Sequence, residues 1–169
     1  TLLAEGLEKV VTVPPLDSDT LSCQARVEAI AQVLERIDGP VILVAHSAGV
    51  LMVAHWVAQQ GAARCRHSIR GALLVTPPDL DASWPSHYPS SHAMQAGGWP
   101  PLPRMTRPCP SLVVMSHNDP LASPEAVRAL ALDWGSELVD AGAVGPLNPA
   151  SGFGPRPRAE ALLGRLDAR

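Results

Sequence analysis

Apolar residues fall into two kinds of run along this chain, and the contrast predicts its elements. Residues 41–45, 71–76 and 111–116 are short, continuous and rich in valine and leucine. Runs without alternation read as strands buried on both faces. Residues 10–13, in "KVVTVPP", form a similar run closed by Pro14-Pro15, and a short strand is expected around 137–139. The second kind has helical spacing. Val27, Ile30, Ala31, Leu34 and Ile37 make one face of an amphipathic helix that Gly39-Pro40 should end. Asp17, Ser18, Asp19 and Thr20 offer N-caps for it. Val127, Leu130, Ala131 and Trp134 repeat the pattern behind the N-terminal pair Ser123-Pro124, with Gly135 as the stop. Further helices are expected over 48–60 and 158–166, and residues 2–7 read as the end of another.

Non-alternating strands separated by amphipathic helices predict a parallel sheet covered on both faces, with right-handed crossovers. The expected class is α/β, a doubly wound sheet of about five strands. At 169 residues the chain has the size of one domain. Nine of its 18 prolines lie between Pro77 and Pro110, so 77–110 reads as one irregular excursion that could fold over a site as a lid.

Composition narrows the function classes. Hydrophobic residues are 46% and charged ones 17%, which excludes a disordered chain. A net charge of −3 without a basic run argues against a nucleic-acid partner. No apolar stretch reaches membrane-span length, and a signal peptide is not expected. Cys23, Cys65 and Cys109 show no metal spacing and read as reduced thiols of a cytoplasmic protein. No cofactor is implied, since no phosphate-binding glycine loop or metal constellation appears, and oligomeric state is unreadable.

"VILVAHSAGV", residues 41–50, places a lone hydroxyl between two apolar runs. Ser47 falls at the carboxyl end of a strand, where ligands sit in open α/β sheets. "AHSAG" is one residue from the G-x-S-x-G nucleophile elbow, with Ala45 for the first glycine. Small neighbours suit the tight turn, and the Ala48 amide at the helix start could donate to an oxyanion. The alternative is a structural turn that happens to hold a serine. In this fold the acid follows the nucleophile, and Asp119 in "VVMSHNDP" lies just past a strand end; its alternative role is a turn cap before Pro120.

The stretches "GPVILVAHSAGVLMVAHW", "GALLVTPPD", "PSLVVMSHNDP" and "LNPASGFGP" resemble the small α/β-hydrolase-fold serine hydrolases that include a retinoblastoma-binding member. They spread over roughly three quarters of the chain. The resemblance implies a nucleophile at Ser47, an acid at Asp119, and activity on a small ester or other acyl compound. It also implies a histidine base in a G-H-I-N motif followed by Ser-Gly. Here "VGPLNPASG" keeps Gly145, Leu147, Asn148, Ser151 and Gly152 but has Pro146 in the histidine's place. No histidine follows His117, and a serine without its base is a poor nucleophile. A single base change converts a histidine codon to a proline codon.

Other histidines fit the role poorly. The His46 side chain is expected to point away from the Ser47 hydroxyl, His55 to pack on the following helix, and His117 to be exposed in a loop. His87 and His92 lie in the excursion and lack a third ligand for a zinc site. A second departure concerns the family's first strand, which supplies another oxyanion-hole amide between the strands expected at 10–13 and 41–45. Nothing before Thr1 provides it. Either the chain is truncated there, as its start without methionine suggests, or those two strands pair directly. Trp84, Trp99 and Met94 could line an apolar acyl pocket or anchor the excursion to the core; Trp56 and Trp134 read as core. The readings are thus a serine hydrolase or a catalytically silent relative that binds a ligand or protein partner, beside an enzyme of altered chemistry.

Overall fold

A computed structural model of the chain describes residues 9–15, 21–106, 108–147 and 157–168 (61–68 and 157–158 by their backbone alone). Four strands form one parallel sheet in chain order: β1 (Val41–His46), β2 (Ile69–Val75), β3 (Ser111–Met115) and β4 (Glu137–Asp140). The helices are α1 (Cys23–Leu34), α2 (Ala48–Ser68), α3 (Ser91–Ala96), α4 (Pro124–Asp133) and α5 (Pro157–Asp167).

Apolar strands need cover on both sides, and the core divides accordingly. On one face Ala45, Ala72, Leu74, Val113 and Met115 pack with residues of α1, α2 and α4. On the other, Leu73, Leu112 and Val114 meet Leu162 and Leu166 of α5. Alternate residues of one strand, Leu73 and Leu74, therefore serve opposite cores, which explains the missing alternation. Gly71 has a visible purpose: a Cβ there would lie 3.1 Å from Leu166 Cδ2 and 3.3 Å from the Pro110 carbonyl.

The strand expected at 10–13 does not form. These residues take no ladder position in the sheet, and Val11 is 60% exposed. Val11, Thr12 and Pro14 lie beside Ala29, Val33 and Ile37 instead, around a cavity of about 300 Å³. An apolar extended run becomes a strand only beside a free strand edge; this one lies against a helix, so among the described residues four strands stand where about five were expected. The helix expected over 2–7 and the caps at 17–20 lie outside the described residues, and α1 is capped by Ser22, whose Oγ accepts from the Ala25 amide at 3.2 Å.

Boundaries moved elsewhere for local reasons. α1 ends at Leu34, before Gly39-Pro40. α2 runs past Gln60 to Ser68, because one glycine among alanines costs only about 1 kcal/mol in a helix. The excursion contains a short helix, α3, capped by Ser90. At α4 the cap is as expected, with Ser123 accepting from Ala126 and Pro124 in the first turn. Among the described residues no helix is long and apolar enough to cross a membrane.

Candidate functional site

The carboxyl ends of β1, β2 and β3 share one rim, because the strands are parallel and nearly in register. Ser47 follows β1 and Asp119 follows β3. With one strand between them, the two chains are roughly 10 Å apart at the strand ends. Both candidates thus belong to the same end of the sheet.

Ser47 has φ +52°, the left-handed region that a residue with a Cβ enters only at a cost of about 1–2 kcal/mol. The strain is held from both sides. Its amide donates to the Val75 carbonyl at 2.9 Å, and its own carbonyl accepts from the Val50 amide at 2.9 Å. Small neighbours permit the bend: Ala45 is buried, and a Cβ on Gly49 would stand 3.8 Å from the Ala45 Cβ. Ala48 is the first residue of α2 and exposed. Its amide, in the first turn, has no intrahelical acceptor.

Asp119 Oδ1 accepts from the Leu121 amide at 2.9 Å. Burial pushes its carboxyl above the usual range, against the opposing pull of the Leu121 amide and then of His46. A carboxylate with a raised folded-state pKa weakens the fold as it ionises. Stability should fall as pH rises from the ordinary carboxylate range through the raised value. Asp119→Asn keeps an acceptor for the Leu121 amide and removes the ionisation. This variant should melt higher than the native chain at neutral pH, and the difference should vanish in acid below the carboxylate range. Melting curves at both pH values check this; equal melting temperatures at neutral pH would contradict it.

The loop bearing Pro146 is pinned over this rim. The Pro146 carbonyl accepts from His46 Nε2 at 2.7 Å and from Thr76 Oγ1 at 3.4 Å. The Gly145 amide donates to Asn118 Oδ1 at 2.6 Å, and the Val144 amide to Ser116 Oγ at 3.3 Å. Gly145 and Leu147 take φ +64° and +53°. Three strand ends therefore hold one short segment. Thr76, Ser116 and Asn118 were not singled out from the sequence; the available signal was a polar residue directly after each buried strand.

The remaining candidates lie elsewhere. Trp99 is 2% exposed and its Nε1 donates to the Leu21 carbonyl at 2.7 Å. Met94 is also core, and half-buried Trp84 donates from Nε1 to the Asp79 carbonyl at 2.8 Å. His55 Nε2 donates to the Trp99 carbonyl at 2.9 Å. Exposed His117 pairs with Asp140 at 2.8 Å, while His87 and His92 are exposed. Trp134 is core, and so is Trp56, whose buried Nε1 finds no acceptor among the described residues. Asn148 lies outside the described residues. A cavity of about 170 Å³ opens between the loops after β2 and β3, lined by Pro77, Pro78, Leu102, Ala122, Val127 and Leu130 among others. Trp84 and Trp99 do not line it.

Solved structures share this fold. A YdeN-like hydrolase of Pectobacterium atrosepticum is 31% identical, with TM-score 0.67 over 86% of this chain and 69% of that one. The ydeN gene product of B. subtilis is 16% identical, with TM-score 0.62 over 99% and 87%. A monoacylglycerol lipase of Paleococcus ferrophilus is 15% identical, with TM-score 0.56 over 86% and 74%. Among curated proteins none matches the chain by sequence. A family model described as serine hydrolase matches residues 2–165, and the chain therefore belongs to the serine hydrolase family, on an α/β-hydrolase fold.

Proposed function

We propose that this chain is an acyl hydrolase acting on a small ester or related acyl compound, with Ser47 as nucleophile, Asp119 as the acid and the Ala48 amide in the oxyanion hole. The observation that carries the reading is the backbone at Ser47. A φ of +52° at a strand–helix junction is backbone strain at the carboxyl end of a strand, and strained serines present their hydroxyl at the top of such sheets. Substrate size is suggested by the cavity beside the rim. At about 170 Å³ it compares with the roughly 150 Å³ that accommodates a benzene ring. Its lining is mostly apolar, with Asp79, Asp81 and Arg104 as its charged members, which suits a small hydrophobic acyl group with a polar end. Within the family, the motifs quoted above favour the branch that includes a retinoblastoma-binding member.

One observation favours a second reading, a silent relative that binds a ligand or a protein partner: Pro146 stands where the base is expected and cannot take a proton. A fluorophosphonate probe decides between them. Covalent labelling of the native chain that disappears in Ser47→Ala is the expected result. An unlabelled native chain would favour the second reading, and labelling that survives the substitution would remove Ser47 as the nucleophile.

A further inference from the structure

With proline at position 146, the question is which group takes the Ser47 proton. His46 closes β1 immediately before Ser47 and is exposed. Its Nε2 lies 2.7 Å from the Pro146 carbonyl oxygen. A carbonyl only accepts, so Nε2 carries the hydrogen and Nδ1 of the neutral ring keeps its lone pair. In a serine–histidine–acid triad one imidazole nitrogen is fixed by an acceptor so that the other can receive a proton. Here the backbone of the residue replacing the base supplies that acceptor. The Asp119 carboxylate is near enough to interact electrostatically with the same ring. Of the other described histidines, His117 is engaged on Asp140 and His55 on the Trp99 carbonyl, while His87 and His92 are exposed on the excursion.

Building on the reading of Ser47 as nucleophile, we propose that His46 Nδ1 is the general base of this chain, receiving the Ser47 proton through one intervening water. As Oγ bonds to the acyl carbon, its O–H bond breaks and the proton passes along the water to Nδ1. The imidazolium so formed keeps its Nε2–H on the Pro146 carbonyl. Collapse of the tetrahedral oxyanion breaks the bond to the leaving alcohol, which takes the proton back. A second water then repeats the cycle and releases the acid.

His46→Gln separates this role from simple anchoring, because glutamine retains an N–H for the Pro146 carbonyl but has no basic nitrogen. General-base assistance contributes about 10²–10⁴-fold, so the second-order rate of fluorophosphonate labelling at Ser47 should fall by at least about 100-fold in this variant. His46→Ala should fall equally and recover with added imidazole. Circular dichroism identifies any variant that fails to fold, and imidazole rescue of His46→Ala then decides alone. Ser47-dependent labelling of folded His46→Gln at the native rate would overturn the assignment while leaving Ser47 as nucleophile. Labelling that does not depend on Ser47 would instead remove the reading beneath it.

Discussion

Replacing Pro146 by histidine is expected to raise ester hydrolysis by about 10²–10⁴-fold, the usual range for a positioned general acid–base group. The expectation rests on the loop and not only on the missing side chain. The carbonyl of residue 146 is held by His46 and Thr76, and the preceding amide by Asn118. A new side chain at this position therefore leaves a backbone that is already fixed. Proline confines φ to about −65°, a value histidine also adopts, so the substitution asks for no local refolding. Initial rates on short-chain aryl esters measure the gain. Pro146→Ala should show none, and Ser47→Ala added to Pro146→His should abolish it. A second consequence links the two imidazoles. Once position 146 supplies a base, His46→Gln should cost far less in rate than it does in the native chain. An unchanged rate in folded Pro146→His would sink the assignment of Ser47 and Asp119 to one site.

Much of this site was legible because its chemistry obeys local rules. "AHSAG" between an apolar run and a helical one placed Ser47 on a strand–turn–helix, and the structure shows its backbone in the left-handed region. Ser123-Pro124 and the Gly135 stop were likewise written in neighbouring residues. What could not be read depends on partners distant in sequence. Val10–Val13 has the composition of a strand, yet strand formation needs an edge to pair with, and the segment lies against α1. Nothing near His46 in sequence announces a partner a hundred residues away at Pro146. The polar ring of Thr76, Ser116 and Asn118 was hidden similarly. Each is one residue after an apolar run or shortly past it, and only the sheet brings the three to one loop.

The tryptophans show how such long-range partners decide a role, and they lead to the second large effect. Trp99→Ala should destabilise the fold by about 3–5 kcal/mol, the usual cost of deleting a buried large aromatic side chain. The indole is 2% exposed within the core that also holds Met94, Val27 and Val53. Its N–H donates to the Leu21 carbonyl, while the neighbouring Gly97 carbonyl accepts from the Cys23 amide at 2.8 Å. Close approach is enforced here: a Cβ on Gly97 would stand 2.2 Å from the Leu21 carbonyl oxygen. Losing the indole opens a cavity and also removes the hydrogen bond from Nε1 to the Leu21 carbonyl. Against a typical total of 5–15 kcal/mol, the change should lower the melting temperature by on the order of 10 °C. Trp99→Phe restores most of the apolar volume but not the donor, so its loss should be intermediate. Trp84→Ala, at a half-buried indole, should cost less than Trp99→Ala. Thermal melts of the three variants check the order, and labelling of Ser47 well below the transition separates stability from binding. If Trp99→Ala melted like the native chain but changed the KM for acyl substrates, the side chain would belong to the substrate pocket and not to the core.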